Sequence, residues 1–150
     1  MQWRLIDRIT GFKPWQELRA DKAVSLEEYY LKERLGQPGE FPESLLLESC
    51  AQAASWLVAV SSDFTLNALI ETVTAFTVKR TLQPGERCHI CISVCSRNPD
   101  NITVCCYGRV GNEEIIGGEI ILSLMPLAEH WVPGERKSLW REIFRVEENI

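Results

Sequence analysis

From residue 45 to residue 60 the chain reads LLLESCAQAASWLVAV, an apolar run interrupted by Glu48, Ser49, Gln52 and Ser55. Its apolar residues nearly encircle a helical axis, the pattern of a helix surrounded by protein. Glu48 and Gln52 stand four apart on one face with Ser55 nearby, so the polar exceptions form a narrow stripe. Pro42 falls near the first turn, where its missing N–H is harmless, and Glu43 and Ser44 suit a helix start. The pattern predicts a helix from there to about Val60. It is too short and too polar for a membrane span.

Downstream come four strand-like runs, ETVTAFTVKR, CHICISVCS, ITVCCYGRV and EIIGGEIILSL. Turn signals separate them at Gln83-Pro84-Gly85-Glu86, at Arg97-Asn98-Pro99-Asp100-Asn101 and at Gly111-Asn112, which predicts an antiparallel meander. Gly117 and Gly118 inside the last run mark a bulge or a close backbone approach. Before the helix, LIDRITGF and KAVSLEEYY read as short strands, and residues 29–44 as a long irregular loop. From Lys137 to Glu148, Leu139, Trp140, Ile143, Phe144 and Val146 line one side of an amphipathic C-terminal extension, expected to pack on its own domain. One buried helix and a mostly consecutive antiparallel sheet make an α+β layer structure in which one sheet face covers the helix. Residues 1–150 are expected to form a single domain without internal repeats.

Composition narrows the possible ligands. Hydrophobic residues make up 45% and charged residues 25% of the 150, ordinary for a globular domain. A formal net charge of -5 and scattered basic residues argue against nucleic acid. The N-terminal MQWRLIDRITGF carries charges every few residues and lacks the apolar core of a signal peptide, so the expectation is a cytoplasmic protein without a membrane partner. In that reducing setting the six cysteines, at 50, 88, 91, 95, 105 and 106, are read as free thiols. Cys88 and Cys91 have C-x-x-C spacing, but a strand sends them to opposite faces, so core packing is preferred to a metal knuckle and no metal is expected.

Several short motifs point to one family. LIDRI near the N-terminus, Val24-Ser25, Phe41-Pro42, Leu46-Leu47-Glu48 with Ala51-Gln52-Ala53-Ala54, Val78-Lys79-Arg80 and Pro84-Gly85-Glu86 occur in the order of a known pattern. Over roughly residues 3 to 125 the chain resembles the hotdog-fold β-hydroxyacyl-acyl-carrier-protein dehydratases of the FabZ type. The resemblance implies a hotdog fold, an antiparallel sheet wrapped around one long helix. It also implies a dimer or higher oligomer with an acyl tunnel at the subunit interface, ligands that are acyl thioesters of acyl carrier protein or coenzyme A, and no cofactor. Lys79, Arg80 and Arg87 around one turn are the basic positions that an acidic carrier would meet, although a solvated turn is the simpler reading.

The resemblance assigns the catalytic glutamate to Glu48 and the glutamine one turn later to Gln52. Arg34, Phe41 and Pro42 complete the substrate-binding positions. The family's His-Phe-Pro segment falls on Arg34-Leu35-Gly36, and the glycine after its loop proline falls on Glu43. Arginine stays protonated to a pKa above about 12, so Arg34 is no neutral base. His89 lies in the CHICISVC strand and His130 beyond the last strand; Glu33 and Glu40 lie in the loop. Two roles for Glu48 remain open. One is a general acid with a pKa raised by apolar surroundings, dehydrating a 3-hydroxyacyl thioester to the trans-2-enoyl product in fatty-acid or polyketide-type metabolism. The other is an ion pair with the partner subunit's Arg34, in a silent acyl-binding or scaffolding subunit, either a homo-oligomer or a heterodimer with a histidine-bearing homologue. A hotdog thioesterase is the third reading.

Overall fold

The computed structural model describes residues 4–25 and 41–144. Strands β1 (Arg8–Lys13) and β2 (Glu17–Ala23) form a hairpin, followed by helix α1 (Glu43–Ser61). Strands β3 (Leu66–Val78), β4 (Arg87–Arg97), β5 (Asn101–Val110) and β6 (Glu113–Pro126) come next, then a short 3-10 turn and helix α2 (Pro133–Ile143). All six strands join one antiparallel sheet in the order β1-β2-β4-β5-β6-β3.

Helix α1 runs nearly where the pattern placed it. Pro42 is its N-cap, and the Pro42 carbonyl accepts from the N–H groups of Leu45 and Leu46. By length and composition α1 is long and apolar enough to cross a membrane, a point on which the sequence expectation is corrected. Here it is the core helix, with Leu46, Cys50, Ala53, Ala54 and Leu57 wholly buried, and it contacts β2, β3 and β4.

Only part of the predicted meander exists. Strands β4, β5 and β6 are consecutive neighbours, but β3 pairs with β6 and β4 pairs with β2. The Gln83–Glu86 turn therefore belongs to a connection that crosses the sheet instead of a hairpin. The turn itself is well formed: Pro84 precedes Gly85 at φ 88, and the Glu86 N–H reaches the Gln83 carbonyl at 3.0 Å, as a type II turn requires. The β1–β2 hairpin differs too, because the chain reverses at Lys13–Gln16 and the second strand ends at Ala23; residues 26–40, including the rest of KAVSLEEYY and the loop, lie outside the described residues.

Gly118 is the close approach foreseen in β6. A Cβ there would sit 2.9 Å from the Phe76 ring and collide with the Ala75 carbonyl of β3. The C-terminal extension begins earlier than expected, with Pro133 in the first turn of α2. It packs on its own domain: Trp140 stacks on Phe144 at 4.8 Å, meets Phe12 edge-on at 5.7 Å and lies 5.9 Å from Trp56. Residues 145–150 lie outside the described part.

The thiol expectation is corrected at one pair. Cys95 and Cys105 sit on adjacent strands with Cα atoms 6.5 Å apart, and their sulfurs are joined. Cys50, Cys88 and Cys106 are buried as expected of core residues, while Cys91 points to the other face of β4 from Cys88. A hydrogen bond that the Cys50 thiol donates to Cys106, together with burial, pushes Cys50 well up, and burial pushes Cys88 up to about 12.

Arg80 links two of the recognised motifs. Its guanidinium donates to both Glu86 oxygens at 2.8 and 2.9 Å and to Glu113 at 3.0 Å, so it is not a free basic spot. The Arg80 bond holds the Glu86 carboxyl below its ordinary value, burial opposes it, and the Gln83 N–H assists. A carboxylate so depressed contributes stability that is present above its unfolded pKa and lost as pH falls through the lower folded value. Glu86→Gln is expected to cost about 1 kcal/mol at pH 7. In urea titrations the gap from the parent should narrow below pH 4.5, the ordinary carboxyl value, and close on further acidification.

Candidate functional site

The polar stripe of α1 faces a space between the helix and the start of β3. Glu48, Gln52, Ser55 and Trp56 form one wall of a cavity of about 770 Å³. Arg4 and Leu5 form a second wall, Asn67–Ile70 at the start of β3 a third, and His130, Trp131, Arg136 and Leu139 the fourth. The helical spacing of the stripe is what aims these side chains at one space.

Glu48 is exposed within this chain, so the apolar enclosure expected for its carboxylate is not supplied by the described residues. The reason is local: it lies in the second turn, on the side that the sheet does not cover. Gln52 is half-buried, and its Oε1 accepts the Leu5 N–H at 2.9 Å, which fixes the N-terminal segment against the helix. Ser55 donates to Asn67 Oδ1 at 2.6 Å.

Phe41 and Pro42 do not line this cavity. Phe41 is fully buried, pairs with Leu82 through its backbone and carries the Lys22 ammonium 5.3 Å above its ring. Pro42 caps α1. Arg34, Glu33 and Glu40 lie outside the described residues, so an Arg34 ion pair to Glu48 is not visible in this chain.

The two histidines separate. His130 lines the Glu48 cavity. His89 projects from the other face of the sheet, where its Nδ1 lies 2.6 Å from Asp21 and Arg8 donates to the same carboxylate at 2.8 Å. Sequence reasoning named both histidines without being able to choose between them.

It missed Asn67, Trp131 and Arg136 altogether. The Arg136 guanidinium lies 4.0 Å from the Trp56 ring and 4.0 Å from the Trp131 ring, sandwiched between two indoles. Burial lowers its pKa to about 10, so it remains a cation at neutral pH. The available signal was an arginine five residues after a tryptophan in the stretch Trp131–Arg136, too common to be informative alone. Among the described residues, the atoms nearest to a metal-ligand grouping are Cys95, Cys105 and Glu119, on a different part of the sheet and with the two sulfurs already joined.

No protein-family model matches the chain. A curated relative, the 3-hydroxyacyl-[acyl-carrier-protein] dehydratase FabZ of Buchnera aphidicola, is 30% identical over 124 residues, 79% of this chain and 81% of the relative. Among solved structures, a Streptococcus mutans protein bound to acetyl CoA superposes with a TM-score of 0.64 at 12% identity, covering 79% of this chain and 88% of that one. A mutant of the fluoroacetyl-CoA-specific thioesterase FlK gives 0.64 at 14% identity, covering 88% and 97%. Both structures share the sheet wrapped around a helix, the hotdog fold.

The two stripe residues should part company in stability measurements. Gln52→Leu orphans the Leu5 N–H and is expected to cost about 1–3 kcal/mol in urea unfolding. Glu48→Gln, at an exposed position, should stay within about 0.5 kcal/mol of the parent.

Proposed function

Because the chain belongs to the FabZ family of hotdog-fold 3-hydroxyacyl-acyl-carrier-protein dehydratases, we propose that its cavity binds 3-hydroxyacyl thioesters, carried on acyl carrier protein or coenzyme A. The observation that carries this reading is Glu48 and Gln52, one turn apart, facing a space of about 770 Å³ that His130 also lines. In the dehydration we infer, a base removes the C2 proton, the C3–O bond breaks, and the electron pair becomes the C2–C3 double bond. Glu48 gives its proton to the departing hydroxyl, which leaves as water. His130 is the candidate base in place of the absent loop histidine, since a neutral imidazole suits proton abstraction near pH 7.

A second reading is favoured by the exposure of Glu48. The chain would then be a silent acyl-binding subunit whose Glu48 completes the site of a histidine-bearing homologue. A mixture of 3-hydroxyacyl and enoyl thioesters, followed by mass spectrometry, separates the readings. Dehydration lost in both Glu48→Gln and His130→Ala supports the first, by about 100-fold or more in each. Silence of the pure protein with dehydration restored by a homologue supports the second, and release of free acid would mean a thioesterase instead.

We also propose assembly through β3. This strand pairs with β6 along one edge, and its other edge has no strand neighbour among the described residues. Leu69, Ile70 and Val73 on it are exposed, an arrangement suited to pairing with a second copy or a homologous subunit. Val73→Lys should weaken that association about tenfold or more, by placing a charge in a newly formed sheet, as read by light scattering across a dilution series.

A further inference from the structure

Two hydrogen-bond donors without acceptors line the Glu48 cavity. Asn67 is 1% exposed; its oxygen is taken by Ser55, while its Nδ2 has no partner. Arg136 is the other: its Nε is buried and unpartnered, and no ion pair to a described carboxylate balances its charge. Among the described residues, no other buried side-chain N or O lacks a hydrogen-bond partner. Arg8 is paired with Asp21, and Arg80 with Glu86 and Glu113. Stacking between Trp56 and Trp131 holds the Arg136 plane in place and gives cation–π attraction, but it satisfies none of the N–H groups. A partly desolvated cation without an anion and an orphan amide in the wall of the same cavity both call for an oxygen acceptor.

Its position defines the ligand. Glu48 and Trp56 are eight residues apart on α1, which separates the carboxylate from the Arg136 sandwich by roughly 12 Å along the axis. We propose that Arg136, with Asn67 in the wall of the same cavity, is an anion-binding subsite, taking a carboxylate or phosphate oxygen of a ligand whose reacting end lies at Glu48. Resting on the thioester reading above, this makes the substrate one with a second charged group: either a carboxylate at the far end of the acyl chain or the phosphate of the carrier arm. Arginine rather than lysine fits the task, because its planar fork can stack on both indoles and still present paired donors along its edge.

Three probes of one chain length test this: neutral octanoyl-pantetheine, octanoyl-phosphopantetheine and suberyl-pantetheine, which ends in a carboxylate. Binding is followed by calorimetry and by the fluorescence of Trp56 and Trp131. At least one charged probe should bind about tenfold more tightly than the neutral one, and the margin should shrink with added salt. Whichever charged probe shows it identifies the source of the anion. Arg136→Gln should erase the margin, bringing the ratio of charged-probe to octanoyl-pantetheine affinity to about one, and Arg136→Lys should restore part of it. Equal affinities in the parent protein overturn the proposal without recourse to any variant, and so does a margin that survives Arg136→Gln. If octanoyl-pantetheine does not bind at all, the thioester reading falls separately. Free suberate and inorganic phosphate then decide the subsite: fluorescence quenching lost in Arg136→Gln supports it, and no quenching by either overturns it.

Discussion

Burial of one side of α1 against the sheet is the constraint on which the other features depend. Leu46, Cys50, Ala53, Ala54 and Leu57 are wholly inaccessible, and the small residues among them let helix and sheet approach closely. Each large apolar side chain removed from water contributes about 1.5–3 kcal/mol, so rotation of the helix about its axis is strongly opposed. That fixed rotation is what turns Glu48, Gln52, Ser55 and Trp56 toward a common space. The polar stripe is therefore positioned by residues that have no chemistry of their own.

Charge is distributed unevenly over this scaffold. On the outer side of the sheet Asp21 is shared by Arg8 and His89, and at the sheet's end Arg80 is divided between Glu86 and Glu113. Each group there has an opposite partner within hydrogen-bond distance. The cavity is different. Its acidic member is exposed, and its best-buried base is enclosed by aromatic rings that lower the cost of desolvation without neutralising the charge. The contrast separates residues that settle the fold from residues left ready for something outside it.

The helix was legible in the sequence because its apolar run is long and its start is marked by Pro42, Glu43 and Ser44. Strands β4 to β6 were legible because their alternation and their turn residues agree. Strand order was not. The Gln83–Glu86 turn was read correctly as a turn, yet turn chemistry is local and does not say whether the flanking strands pair. The β3 edge and its match to β6 depend instead on the Gly118 approach and on which surfaces α1 occupies. At the site, the stripe was visible as an i, i+4 spacing. Asn67 and Arg136 were not, since they reach the cavity from β3 and α2, elements whose relative placement only the packed core determines. The family resemblance named Glu48 and Gln52, which line the cavity, and Phe41 and Pro42, of which the first is buried and the second caps the helix.

The order of elements along the chain has a consequence for biosynthesis. Helix α1 ends at Ser61, but β4, the last of the strands it chiefly packs against, ends only at Arg97. At about 5–20 residues per second, a ribosome needs several seconds to make the intervening segment. During that interval the apolar side of the nascent helix is covered only in part, by the β2 hairpin already made. Slowing translation after the helix would therefore lengthen the time for which that apolar side is open to aggregation.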